Sequence, residues 1–115
     1  VILNKKLFAL GRLKNGEMNA TEARYEKHLK TRMQSGEVVW YSFEGMKFRL
    51  ADKTFFLPDF VVQLASGEVE LHEVKGAKAI FMDDAKVKIK VASEAFPFRF
   101  IAAFPKKNGW EFVEY

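Results

Sequence analysis

Apolar positions between Asn19 and Gln34 recur every three to four residues, so that Tyr25, Leu29 and Met33 form one stripe with Glu22 a turn earlier on the same line. This spacing predicts a helix, with Asn19 as its N-cap and Gly36 just past its end. The period then drops to two. Val38 to Phe43 is rich in β-branched and aromatic residues and reads as a strand; Lys47 to Leu50 alternates; Asp52-Lys53 turns. Phe55 to Leu64 reads as one strand, Ala65-Ser66-Gly67 as a turn, and Val69 to Lys75 as the returning strand, ended by Gly76. A second helix is expected from about Asp84 to Phe96, capped by Asp83 and stopped by Pro97. Ala85, Ile89, Ala92 and Phe96 make its apolar face, widened by Val87 and Val91. Phe98 to Phe104 reads as a buried strand broken by Pro105, then Asn108-Gly109 turns into a last strand, Trp110 to Tyr115. No repeat or linker interrupts the order. One α/β domain over 1–115 is expected, with an N-terminal arm (1–17) and a C-terminal hairpin strand (106–115).

Composition narrows the class. With 115 residues, 49% of them hydrophobic and 12 of them Phe, the chain has the material for a core. The absence of cysteine excludes disulfides and thiolate metal sites and fits a reducing, cytoplasmic setting. No apolar run is long enough to cross a bilayer and no secretory leader is seen, so no membrane partner is expected. The net charge of +4 is compatible with an anionic partner and by itself weak evidence for one. No glycine-rich phosphate loop, histidine-rich metal spacing or nucleophile elbow is present.

The chemistry concentrates on Pro58-Asp59 and Glu73-Val74-Lys75. A three-residue loop with Gly67 in the left-handed region pairs Leu64 with Glu68, and counting back sets Val61 opposite Leu71, Phe60 opposite His72 and Asp59 opposite Glu73. Opposed side chains share a face, and Lys75, two residues on, joins it; His72 alternates to the other face and is not counted as a ligand. Two facing carboxylates repel, which calls for a divalent cation, a shared proton or a nearby ammonium. Hard oxygen donors make Mg²⁺ the best cation. A two-residue loop would instead send Asp59 to the opposite face, and an Asp after Pro also serves to cap local backbone.

Glu22 has two readings. It stands at the capping-box position, three residues after Asn19, and it also lies on the inward stripe as an acidic ligand, with Glu26 as the substitute. Lys86, Lys88 and Lys90 form a solvated helix face from which Lys86 or Lys90 can reach a phosphate; Lys78 is a similar candidate, as are Arg12 and Lys14 on the arm.

Pro58-Asp59, a spacer and Glu73-Val74-Lys75-Gly76 resemble the PD-(D/E)XK nuclease superfamily, and the predicted order αβββαβ is similar to its shared core. The stretches Gly16 to Glu22 and His72 to Gly76 are similar to small phage and prophage nucleases of this type. The resemblance runs from about Gly11 to Phe104. It implies a restriction-endonuclease-like fold, a mixed central sheet flanked by helices, and Mg²⁺-dependent hydrolysis of DNA phosphodiesters, with Mn²⁺ able to substitute. Asp59, Glu73, the Val74 carbonyl and Glu22 would hold the metal, and Lys75 would orient the attacking water. It further implies a homodimer and the cytoplasm of a bacterial host; branched or Holliday-junction DNA of the kind phage resolvases cut is one candidate substrate, with flapped, double-stranded and single-stranded DNA, and RNA, left open. The rival expectation is a catalytically inactive member of the fold, kept as a nucleic-acid-binding or protein-interaction module.

Overall fold

The computed structural model describes residues 16–78 and 83–115. Along them run α1 (Ala20–Gln34), β1 (Val38–Phe43), β2 (Phe48–Ala51), β3 (Thr54–Phe56), β4 (Phe60–Leu64), β5 (Val69–Val74), α2 (Asp83–Ala95), β6 (Arg99–Lys106) and β7 (Gly109–Glu114). Five strands form a mixed sheet in the order β1-β4-β5-β6-β7, and β2-β3 is a separate two-stranded ribbon. Among the described strands only β5 and β6 pair in parallel, the two being joined by a connection that contains α2. The described residues thus form an α/β unit with a mixed central sheet and two helices.

Both faces of the sheet are covered, which explains the near-continuous apolar runs of β4 and β6. Tyr25 and Leu29 of α1 pack on one face with Phe60, Val62, Val74 and Ala103. Ile89 and Ala92 of α2, with Phe48 and Phe56 of the ribbon, pack on the other against Val61, Leu71, Phe100, Ala102 and Phe104. The α1 boundaries follow their local signals. Asn19 and Glu22 form a reciprocal capping box, and at the other end Gly36 (φ 83°) donates to the Met33 carbonyl while Glu37 donates to that of Arg32, which closes the helix.

Three expectations are corrected. The single strand over Phe55–Leu64 is split: Thr54–Phe56 pairs with β2, while Phe60–Leu64 enters the main sheet between β1 and β5. Buried Pro58, without an amide hydrogen, separates the two pairings. Met33, Val87 and Val91, read as core, are 40%, 58% and 39% exposed, because only about one stripe of each helix meets the sheet. Pro105 does not end β6, which runs on to Lys106. Residues of β6 alternate in bonding β5 and β7, and Ala103 accepts from Lys75 just past β5, so the side on which Pro105 lacks a hydrogen faces the gap beyond the end of β5. The expected C-terminal hairpin strand is found, and it joins the main sheet: β7 pairs along β6 from Ile101 to Lys106, and Trp110 meets Tyr25 edge-on at 4.8 Å between ring centres. The arm, with Arg12 and Lys14, lies outside the described residues except for Gly16 and Glu17, and so does the position that precedes Asp83 and would cap α2.

Candidate active site

The register counted from the Ala65-Ser66-Gly67 loop is the one found. Gly67 has φ 92°, Leu64 donates to the Glu68 carbonyl, and Phe60 pairs with His72 and Val61 with Leu71. Asp59 therefore enters β4 level with Glu73, where the ladder ends. The two residues interlock across that end: the Val74 amide donates to Asp59 Oδ2 at 2.7 Å, and the Asp59 amide donates to Glu73 Oε1 at 3.3 Å. The capping role expected of an Asp after Pro is thus real, but it reaches across strands rather than along the chain. Lys75 Nζ stands 3.3 Å from Glu73 Oε2 and keeps a third of its side chain in solvent. Because Lys75 donates its amide to Ala103 on β6, the Val74 carbonyl turns the other way, toward Asp59.

Glu22 resolves into both of its readings. Its Oε1 accepts the Asn19 amide at 2.9 Å, completing the cap, and its carboxyl also lies within hydrogen-bonding reach of the Asp59 side chain. Glu26 is not the substitute: it accepts from the Tyr41 hydroxyl at 2.9 Å and faces Lys30.

The buried Asp59 and Glu73 carboxyls are both perturbed, and Glu22 adds to the effect on Asp59. Burial, then the charges of Glu73 and Glu22, hold the Asp59 carboxyl well above the usual range, against the opposing Val74 amide. Burial also raises Glu73, with Lys75 and the hydrogen bond from Asp59 pulling the other way. The site favours a proton or a cation between its acids. Among the described residues, no group of three or more His, Cys, Asp or Glu side chains is arranged to hold a metal ion by itself.

The predicted phosphate contacts are dispersed. Lys78 is ion-paired with Glu111 of β7 at 2.8 Å, and with Lys86 it lines a hollow of about 270 Å³ floored by Phe104, Val113 and Tyr115. Lys90 is exposed one turn further along α2 and does not reach that hollow.

Sequence reasoning missed a buried polar chain on the α1 face. The Tyr25 hydroxyl lies 2.6 Å from His72 Nδ1, His72 Nε2 lies 2.9 Å from Glu70 Oε1, and Arg99 Nη1 reaches Glu70 Oε2 at 2.8 Å. Burial lowers the pKa of His72 and raises that of Tyr25, so both sit neutral in this chain at neutral pH. One signal was available: a tyrosine on a buried stripe needs a partner for its hydroxyl. The chain borders a hollow of about 580 Å³, larger than the one at Lys78, lined by His28, Arg32, Glu70, His72 and Arg99. The paired acids lie away from it. Its charged groups are already matched, Arg32 with Glu37 and Arg99 with Glu68, Glu70 and Glu114, so size alone does not make it the site of chemistry.

Compared with known proteins, the chain matches no family model, no curated protein and no solved structure.

Proposed function

We propose that this chain is a divalent-metal-dependent endonuclease of the PD-(D/E)XK type, hydrolysing phosphodiester bonds in DNA. The observation that carries this reading is the meeting of Asp59, Glu73, Lys75 and Glu22 at one end of the sheet, beside the carboxyl ends of parallel β5 and β6. Ligands of open α/β sheets gather at such ends. The chain order α1, β1, β4, β5, α2, β6 matches the order αβββαβ that the resemblance implies for the core, the β2-β3 ribbon and β7 being additions.

The donor set fits Mg²⁺, and Mn²⁺ as its substitute. Mg²⁺ keeps several waters and takes one or two carboxylates rather than an all-protein cage. Asp59 and Glu73 supply those carboxylates, with the Val74 carbonyl turned toward the same space and Glu22 placed to act through water. When bound, the ion lowers the pKa of its water and offsets charge that builds on the phosphate. The protein's own share follows from its contacts. The crossed backbone bonds of Asp59 and Glu73 hold both acids on rigid strand ends. Lys75, partly exposed beside Glu73, donates to the attacking water and to a non-bridging phosphate oxygen as its charge grows. Cutting both strands of a duplex or a branched junction needs two such sites, which favours a homodimer.

The test is cleavage of linear, single-stranded, flapped and four-way-junction DNA with Mg²⁺ or Mn²⁺. Lys75→Ala should lower the rate by roughly 10²–10³-fold, the scale seen when one stabilising donor is lost. Asp59→Asn should abolish cutting, and both variants should still bind DNA. A parent protein that cuts none of these substrates ends the proposal.

A second reading has one observation in its favour. Both carboxylates already serve as caps for backbone amides, a role that needs no catalysis. The chain would then be an inactive binding module of the same fold. Calorimetry separates the two: tight DNA binding with no heat of Mg²⁺ or Mn²⁺ binding supports the module.

A further inference from the structure

We propose that the β6–β7 hairpin tip, Lys106-Lys107-Asn108, together with Arg24 of α1, is a contact surface for the DNA backbone flanking the cleaved phosphate. The inference rests on the nuclease reading for the identity of its partner, and on the following geometry for its place.

Val74 of β5 is level with Ala103 of β6, and Lys106 lies three residues beyond Ala103. At about 3.3 Å per residue, the tip extends roughly 10 Å past Val74, at the end of the sheet where Asp59 and Glu73 meet. Lys106, Lys107 and Asn108 are all exposed. The hairpin is braced near its tip from both faces. From the α1 face, Arg24 Nη2 donates to the Lys106 carbonyl at 3.3 Å, and its guanidinium lies 5.1 Å from the centre of the Trp110 ring. From the α2 face, Lys78 pairs with Glu111. Each brace is itself a cation. Of these cations only Lys78 is matched by a carboxylate pairing of its own among the described residues, so Arg24, Lys78, Lys106 and Lys107 with Glu111 sum to +3.

The other end of the sheet is built differently. There Arg99 is ringed by Glu68, Glu70 and Glu114, and Arg32 is paired with Glu37, so no cationic excess remains. The excess at the tip lies beside the acid-lined site, where an anionic polymer would otherwise be repelled by Asp59, Glu73 and Glu22. A rigid, positive, protruding hairpin suits regularly spaced phosphates. An acidic protein surface would answer the same charge, but it supplies no group for the site next door.

The experiment measures binding of fluorescein-labelled duplex and four-way-junction DNA by anisotropy, in EDTA, over a series of salt concentrations. Lys106→Ala with Lys107→Ala should weaken binding about tenfold near 0.1 M salt and flatten the slope of log K against log salt by about 2, the value for two lost phosphate contacts. Arg24→Ala alone should flatten it by about 1. A charge-matched control, Lys30→Ala with Lys53→Asn, removes two exposed cations away from the hairpin and should leave the slope as in the parent. The surface is refuted if the hairpin variant keeps the parental affinity and slope, or if the control loses as much as the hairpin variant does. A parent that binds through the hairpin but never cuts with Mg²⁺ or Mn²⁺ would overturn the nuclease reading and leave the surface standing. A parent that cuts while the hairpin variant binds unchanged would do the reverse.

Discussion

Glu70 and Asp59 are both acids inside the sheet, and their surroundings push them in opposite directions. Burial works to raise Glu70, but the His72 hydrogen bond and the charge of Arg99 outweigh it, and its pKa ends below the ordinary 4.5. Asp59 is raised by burial and then by its acidic neighbours, and ends well above. A depressed carboxyl stabilises the fold above its unfolded pKa, and that contribution is lost as pH falls through the folded value. Glu70→Gln should therefore cost about 1–3 kcal/mol at pH 7, the scale for hydrogen bonds to a charged group. The gap from the parent should close in urea titrations carried down from pH 5 to pH 3; a constant gap would mean that Glu70 acts by shape alone. None of this was legible in the sequence. Glu70 reads as an ordinary polar strand residue, because Arg99 reaches it only through the parallel pairing of β5 with β6. Asp59, Glu73 and Lys75 were legible, because a short loop with one left-handed glycine fixes the register between them.

At the scale of elements, α1 ties the site to the helix cap. The same Glu22 closes the capping box on Asn19 and faces Asp59. Asn19→Ala should lower stability by about 1 kcal/mol in chemical denaturation, as loss of an N-cap generally does. It should also fray the first turn and slow cleavage, since the Glu22 backbone amide loses the Asn19 side chain that holds it. Unchanged cleavage with reduced stability would confine Glu22 to capping. Helix limits were readable from Asn19 and Gly36, since caps are local chemistry. The division of Phe55–Leu64 between two sheets was not: its residues suit a strand throughout, and the choice of partner was made by β2 on one side of Pro58 and by β1 and β5 on the other.

At the scale of the whole molecule, the acid cluster is a tension that the fold maintains at one end of its sheet. A ligand that binds only the folded chain stabilises it by RT ln(1 + [L]/Kd), about 1.4 kcal/mol at ten times Kd. Mg²⁺ at that level should raise the Tm by roughly 5–10 °C for a domain of this size. Asp59→Asn removes one of the mutually repelling charges while its amide oxygen can still accept from Val74. That variant should melt above the metal-free parent at neutral pH and respond little to Mg²⁺. A parent Tm indifferent to Mg²⁺ and Mn²⁺ would count against cation binding by these acids.

By itself the sequence determined the elements with local causes: the caps of α1, the turn at Gly67 and, through it, the facing of Asp59 and Glu73. Hydrogen-bonding period, capping and turn geometry act over a few residues, so they survive in one dimension. Tertiary structure alone decided that Glu22 serves both as cap and as neighbour of Asp59, that Arg99 answers Glu70, that β7 takes the sheet edge beside β6, and that Arg24 braces a basic hairpin beside the site. Those contacts join residues far apart in the chain. They depend on which faces pack together, and only the folded sheet and its helices specify that.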